Sequence, residues 1–219
     1  MLLQEREAAR ESYFADQGED ITLRRYEVRR RILMVARHRF ARFGYELVSL
    51  EDIASSADLD WDDLPLFFRS KRALLDAILD EGWEDLLSRT ESIAATSLTA
   101  YSTMLGMLAL MCGILQKDED LFRLMLLEGR RPDPDGGHFA FSSGYQRFMQ
   151  VCRDLVLRGQ RDGSFRSSFH PHVATSMVIG AFEGMLRDRL VAGQERDTTP
   201  YTGSYMMTAL DALMSSLKS

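Results

Sequence analysis

Apolar residues recur at helical spacing along nearly the whole chain, and this periodicity restricts the fold more than any other feature. No run alternates apolar and polar residues with period two, and no Asn-Gly pair marks a hairpin. Residues spaced i, i+3, i+4 and i+7 share one helix face, so each segment buries one side against neighbouring helices. The sequence therefore predicts an all-α protein of about nine or ten helices.

Capping and breaking residues predict where these helices begin and end. A long helix is expected over about residues 22–43, ended by Gly44. Ser49 and Asp60 each begin a short helix, and Ser70 begins a longer one. Five further helices are predicted near 98–116, 118–129, 138–161, 171–192 and 202–217. A loop at 130–137 separates the second of these helices from the third.

These segments divide the chain into three parts. Residues 1–20 form an N-terminal extension in which a helix over 2–14 fits. Residues 21–70 form a three-helix head, in which two short helices joined by a three-residue turn follow a longer one. This order is the helix-turn-helix arrangement of DNA-binding domains. Residues 71–219 form a larger helical body.

Charge is distributed very unevenly in the head. Residues 24–43 carry eight arginines against one acid, a local balance of +7, although the whole chain has a net charge of −6. Residues 46–63 carry seven acids and no base, a balance of −7. The arginine-rich helix favours contact with a polyanion, and a solvated helix face is the alternative.

The framework of the head resembles that of the TetR family of bacterial transcriptional regulators. The segments FGYELVSLEDIASSA and FFRSKRALL follow the family's head pattern without a gap. The resemblance covers about fifty residues, while the later helices agree in number, length and order. The matching positions are Ile32, Leu33, Ala36, Phe40, Gly44, Tyr45, Ser49, Leu50, Ile53, Ala54, Ala57, Leu59, Leu64, Phe68, Ser70, Lys71 and Leu74.

This resemblance implies a DNA-binding head. Ser49 and Lys71 would hold phosphates, the second short helix would contact bases, and the arginines would flank the groove. The candidate DNA-binding residues are therefore Arg29, Arg30, Ser49, Trp61, Asp62, Asp63, Phe67 and Lys71.

The second short helix departs from the family pattern. The family usually has Gly-Val-Ser-Lys-Gly-Thr-Leu-Tyr where this chain has residues 58–65, so Trp61 replaces a lysine and Pro65 a tyrosine. Four aspartates in this segment would be repelled by DNA, although carboxylates in a first helical turn also stabilise the helix. Pro65 removes a backbone hydrogen bond and should kink or shorten the helix.

By the same resemblance, the body encloses a pocket for a small apolar effector. Flexible methionines suit an adaptable apolar site, and plain core packing is the alternative for each residue. Glu183 is a candidate polar anchor or a solvated edge residue. The candidate ligand-binding residues are Met104, Met107, Leu108, Met111, Phe122, Met125, Phe148, Cys152, Met177, Phe182 and Glu183.

The last two helices are expected to form a homodimer as half of a four-helix bundle. Gly180 and Gly184 would allow close helix approach, and burial of the two helices within one subunit is the alternative. The expected stripes are Ala174, Met177, Val178, Ala181, Phe182, Met185 and Leu186 on the first helix, and Met206, Leu210, Leu213, Met214 and Leu217 on the second.

Several other classes of protein are disfavoured by the sequence. No phosphate-binding glycine loop or nucleophile elbow appears, so no enzyme activity and no cofactor are predicted. His170 and His172 flank a proline without converging carboxylates or thiols, so no metal site is predicted. The uncharged segment 92–116 is continuously apolar only over 104–115, which is too short to span a membrane.

Cellular location follows from the thiols and the N-terminus. Cys112 and Cys152 lie in apolar helical runs, which indicates buried, reduced thiols. The acid-rich first twenty residues contain no apolar core segment of a signal peptide. A cytoplasmic protein is expected.

Two functions therefore follow from the sequence. The first is a dimeric repressor that is released from operator DNA by an apolar effector. The second is a TetR-like dimer whose degenerate head senses ligand or binds a protein partner without tight DNA binding.

Overall fold

The computed structural model describes residues 18–127, 130–132, 139–191 and 203–218. The all-α prediction is confirmed. The helix predicted over residues 2–14 lies outside the described residues. The α-helices are α1 (Gly18–Phe43), α2 (Leu50–Ser56), α3 (Lys71–Thr96), α4 (Ala100–Lys117), α5 (Glu119–Leu127), α6 (Ser143–Asp162), α7 (Pro171–Val191) and α8 (Gly203–Ser216), and a 3₁₀ helix covers Trp61–Leu66.

The described residues belong to two compact units. The first, here called the head, extends to Leu75, and the second, the body, begins at Asp76. The division lies inside α3, close to the predicted boundary at residues 70 and 71.

Local hydrogen bonds set the two short helices of the head. The Ser49 hydroxyl accepts from the Asp52 N–H at 3.0 Å, and the Asp52 carboxylate accepts from the Ser49 N–H at 3.1 Å, which completes a capping box at the start of α2. The Asp60 side chain accepts from the Asp62 N–H and caps the 3₁₀ helix. Both predicted caps are confirmed.

The turn between these helices uses a left-handed residue. Asp58 has φ of +49°, a conformation that Asp tolerates better than most residues because its short side chain bonds locally. Pro65 lies inside the second helix, which is a 3₁₀ helix of six residues. A short helix with Pro65 near its end agrees with the prediction that Pro65 kinks or shortens it.

A small apolar core holds the three helices of the head together. Phe40 of α1 packs beside Tyr45 at a ring separation of 5.2 Å. Ala54 and Ala57 are fully buried where a small residue permits close helix crossing. The other buried apolar side chains of the head are Ile32, Leu33, Ala36, Val48, Ile53, Leu64, Phe68, Leu74 and Leu75.

The body is a bundle around α4. This helix packs against α5, α6 and α8, while α7 packs against α5, α6 and α8. Trp83 of α3 is buried and lies 5.0 Å from the Phe148 ring of α6. The predicted inner face of α3, which includes Leu75, Ile78, Leu79, Trp83 and Leu86, is buried.

The segment at 130–137, which was expected to be a loop, begins with a short β-strand. Residues Arg130–Pro132 pair antiparallel with Phe139–Phe141, with Arg131 opposite Ala140. As a result, the third of the five later helices begins at Ser143 and not at 138. Two strands of three residues carry no period-two signal that a sequence could show.

The uncharged segment at residues 92–116 does not form a single helix. Ser97 to Thr99 separate α3 from α4, so the uncharged segment is two helices and not one. Within the part of the chain that the structure describes, none of the helices has the length and apolarity needed to cross a bilayer.

We predict that Gly144→Ala destabilises the body. A Cβ at this position would lie 2.5 Å from the Cβ and Cδ1 of Trp83, and a buried indole has little room to move. The expected loss is about 1–3 kcal/mol of unfolding free energy, as for other overpacked cores. Urea unfolding followed by circular dichroism measures it.

Gly113→Ala is the matched control for that substitution. Gly113 also lies inside a body helix, and a Cβ there meets none of the described atoms within 4 Å. We expect it to be neutral or stabilising by up to about 1 kcal/mol. Equal effects of the two substitutions would contradict the packing argument.

Candidate functional sites in the head and the body

A half-open groove lies between α1 and the 3₁₀ helix of the head. Its volume is about 480 Å³. One wall comes from the first half of α1 and the other from the turn and the 3₁₀ helix. The lining residues are Arg24, Arg25, Glu27, Val28, Arg31, Asp58, Leu59, Asp60, Asp63, Leu66 and Phe67.

The two walls carry opposite charge. Three arginines of α1 face Asp58, Asp60 and Asp63 across the groove, and Glu27 adds a fourth acid on the α1 side. The two oppositely charged blocks of the sequence therefore meet in space and partly balance one another. Asp62 does not line the groove and is exposed.

Lys71 and Arg29, two of the predicted DNA-binding residues, make contacts within the head. The Lys71 ammonium donates to the carbonyl oxygens of Val48 at 2.9 Å and Glu46 at 3.2 Å. It also lies 4.4 Å from the centre of the Tyr45 ring. The Arg29 guanidinium lies over the Phe68 ring at 5.4 Å. Lys71 thus ties the start of α3 to the loop before α2.

Ser49 is likewise engaged at the start of α2. Its hydroxyl donates to Asp52 Oδ2 at 2.8 Å as well as accepting from the Asp52 N–H. Hydrogen bonds from the Ser49 backbone and side chain hold the pKa of Asp52 below its ordinary value. A phosphate at this position would approach a hydroxyl that already has local partners.

The remaining predicted DNA-binding residues are spread over the surface. Arg30, Trp61 and Asp62 are exposed, whereas Asp63 and Phe67 are half-buried on the groove. Trp61 is 43% exposed and Leu66 49% exposed, so the 3₁₀ helix presents two large apolar side chains beside its acids.

Arg24, Arg25 and Arg31 were not among the predicted site residues. They belong to the arginine block that the sequence displays, but their place opposite the aspartates depends on how α1 packs. Arg24 and Arg31 are seven residues apart and share one helix face, whereas Arg25 is rotated by about 100° from Arg24, so spacing alone indicates only two of the three.

In the body, nearly all predicted ligand-binding residues lie in the interior. Met177 does not join them, because it lies on the outer side of α7 and is 37% exposed. The buried ones are Met104, Met107, Leu108, Met111, Phe122, Met125, Phe148, Cys152, Phe182 and Glu183.

Polar groups occur inside this apolar region. Glu183 is 8% exposed, and the Tyr145 hydroxyl donates to its Oε1 at 3.2 Å. Glu183 is therefore an interior residue and not a solvated edge. The indole N–H of Trp83 is buried and has no hydrogen-bond acceptor among the described residues.

The two cysteines are buried thiols in the body. Cys152 Sγ lies 4.0 Å from Met107 Sδ. Burial raises the pKa of both Cys112 and Cys152, so neither thiol has thiolate character at neutral pH.

The outer faces of α7 and α8 differ from the predicted dimer stripes. Most of the α8 stripe, and Ala174, Val178, Phe182 and Leu186 of α7, are buried within the single chain, so periodicity identified the inner faces. Met177 and Ala181 of the predicted α7 stripe are exposed, together with Val173 and Gly180 of the same helix, whereas the exposed residues Tyr205, Ala209 and Ala212 of α8 lie outside its predicted stripe. A Cβ at Gly180 or Gly184 would meet none of the described atoms within 4 Å.

His170 and His172 lie beside each other, with ring centres 5.4 Å apart. No third metal ligand among the described residues joins them. Across the described ranges, no group of three or more His, Cys, Asp or Glu side chains could hold a metal ion.

Comparison by sequence finds no matching family model and no matching curated protein. Comparison by structure does find similar proteins. The fatty acid degradation regulator FadR from Bacillus halodurans has a TM-score of 0.73 and 15% identity, covering 85% of this chain and 94% of that one. FadR from Bacillus subtilis, in complex with stearoyl-CoA, has a TM-score of 0.71 and 18% identity, covering 85% and 98%.

A TetR-family transcriptional regulator from Bordetella parapertussis 12822 is also similar. Its TM-score is 0.64 at 20% identity, covering 85% of this chain and 93% of that one. At such identities the likeness concerns the fold. The chain has the fold of TetR-family transcriptional regulators.

Proposed function

We propose that this chain is a TetR-family one-component transcriptional regulator. Its head binds operator DNA as part of a homodimer, and a small apolar effector in the body releases it. The observation that carries the proposal is the helix-turn-helix of the head, built by the Ser49 capping box, the left-handed turn at Asp58 and the buried Ala54 and Ala57.

The charge arrangement of the groove supports DNA binding by so acidic a head. Because Asp58, Asp60 and Asp63 face arginines, their charge is partly balanced before DNA approaches. Asp62 remains exposed on the 3₁₀ helix and would repel phosphates. Binding should therefore be moderate in affinity and sensitive to salt.

Two observations support effector binding in the body. The predicted interior residues are rich in methionine, whose flexible side chains can adapt to an apolar guest. The structurally similar FadR of Bacillus subtilis was solved with stearoyl-CoA, an apolar chain on a polar carrier. An effector with an apolar part agrees with both.

A second candidate function is binding of a basic protein partner through the head. Trp61 and Leu66 are exposed beside Asp60 and Asp62, and tryptophan is enriched at the positions that dominate binding energy in protein interfaces. The acids favour a partner of opposite charge. The gel-shift experiment below separates the two candidates.

We predict that the purified dimer shifts DNA from upstream of its own gene at low salt. Arg30→Ala should weaken binding and lower the slope of log affinity against log salt by about 1, because one exposed cation near the phosphates is removed. Arg161→Ala, an exposed arginine of the body, is the control and should have no effect. A folded dimer that gives no shift at low salt would favour the partner-binding function instead.

We also predict that Asp62→Gly with Asp63→Thr strengthens non-specific DNA binding. Removing the exposed Asp62 contributes about 1 kcal/mol at high dielectric and removing the partly balanced Asp63 contributes less, which together gives about a fivefold to tenfold gain. Asp85→Asn with Glu91→Gln removes two exposed acids of α3 beyond the head and is the charge-matched control. Fluorescence anisotropy with a random duplex measures both. Unchanged affinity would mean that the 3₁₀ helix does not approach the phosphates.

The exposed face of α7 is proposed as part of the dimer interface. Met177→Glu should raise the dimer dissociation constant at least about tenfold, since an unpaired charge would be buried. Leu157→Glu on α6 is the control, because Leu157 is 38% exposed and Met177 37%. Sedimentation equilibrium measures both. A similar dissociation constant for the two variants would move the interface away from this face.

A further inference from the structure

Three polar side chains from different helices come together in the interior of the body. The ring of Tyr145 on α6 lies 5.6 Å from the ring of Trp83 on α3, in an edge-on arrangement. The Tyr145 hydroxyl donates to Glu183 Oε1 on α7 at 3.2 Å. We call these residues the polar cluster. All three side chains are at least nine-tenths buried.

This cluster is costly for an apolar core. A buried donor without an acceptor destabilises the folded state, and the Trp83 N–H has no acceptor among the described residues. A buried carboxylate also needs compensation, of which the Tyr145 hydroxyl supplies one hydrogen bond. An interior made only of apolar side chains would give a more stable folded state.

The surroundings of the cluster can adapt to a guest molecule. Phe148 lies against Trp83, and Met125 approaches the neighbouring Gly82, where its Sδ would be 2.9 Å from an added Cβ. Methionine has three rotatable bonds and repacks at low cost. Met125 could therefore move when a ligand enters beside this part of α3.

We propose that the polar cluster binds the polar end of the effector, and that this end is an uncharged hydroxyl group on an apolar body. The inference rests on the proposed function only in taking the body as the effector-binding part. The oxygen of a ligand hydroxyl can accept a hydrogen bond from the Trp83 N–H, and the same hydroxyl can donate a hydrogen bond to the Glu183 carboxylate.

The other common polar ends fit this cluster less well. A carboxylate can accept from Trp83 but is repelled by the Glu183 carboxylate. A primary ammonium can donate to Glu183 but has no lone pair to accept from the indole, so the buried N–H would stay unsatisfied. The cluster therefore selects alcohols or phenols over acids and amines of the same apolar length.

The chain offers a specific fluorescence reporter for this test. It contains two tryptophans, Trp61 in the head and Trp83 in the body, so Trp61→Phe leaves Trp83 as the sole tryptophan. This variant is titrated with 1-decanol, decanoate and decylammonium below their aggregation limits. We expect a change in Trp83 emission and a dissociation constant for decanol at least about tenfold below the other two, which corresponds to ~1.4 kcal/mol.

Substitutions then assign the preference to individual side chains. Glu183→Gln should reduce the preference for decanol over decanoate by about tenfold, because removal of the carboxylate removes the repulsion. Tyr145→Phe should weaken decanol binding by a smaller factor. Glu84→Gln is the control, since Glu84 lies on the same helix as Trp83 but is exposed and paired with Arg147 at 3.4 Å. It should change neither.

Calorimetry tests the indole itself without relying on its emission. Trp83→Phe should weaken decanol binding about tenfold relative to Trp61→Phe, with folding of both variants checked by circular dichroism. Equal binding of decanol and decanoate, no binding of any of the three probes, or equal effects of Glu183→Gln and Glu84→Gln would each overturn the proposal. These measurements use the protein without DNA, so a failure of DNA binding in the gel shift leaves them interpretable.

Discussion

The packing of the Trp83 indole against the backbone of Gly144 is the contact on which the interior of the body depends. An indole is the bulkiest side chain, and it reaches α6 because glycine leaves no Cβ in its way. The same contact brings Tyr145 beside the indole and so places the tyrosine hydroxyl next to Glu183. The polar cluster therefore depends on one glycine that has no side chain.

Local features were predictable because the physics that decides them is contained in a few neighbouring residues. Ser49 with Asp52, and Asp60 alone, cap their helices by bonds to backbone two or three residues away. Pro65 shortens its helix for an equally local reason. The strands Arg130–Pro132 and Phe139–Phe141 were missed because three-residue pairing depends on a partner strand and leaves no periodic trace.

Long-range features of the candidate sites were not predictable from periodicity. An apolar stripe indicates which face of a helix is buried but not what covers it, so the Met206 face of α8 was expected at a dimer interface and lies inside one chain. Met177 was predicted both for the effector pocket and for the dimer stripe, and it lies on the exposed face of α7. The two charge blocks were visible in sequence, while the packing of α1 alone decides that Arg24 and Arg31 face Asp60.

That facing of arginines and aspartates makes stability and DNA affinity opposing traits in the head. Each aspartate removed from the groove lowers repulsion from phosphates, yet it also leaves the three arginines of α1 with fewer acids along the groove. Such a head would gain affinity at the expense of its own folding, a common trade-off at functional surfaces. The arginines of α1 thus offset the charge of the acidic 3₁₀ helix. A change of DNA preference would therefore require substitutions in α1 and the 3₁₀ helix together.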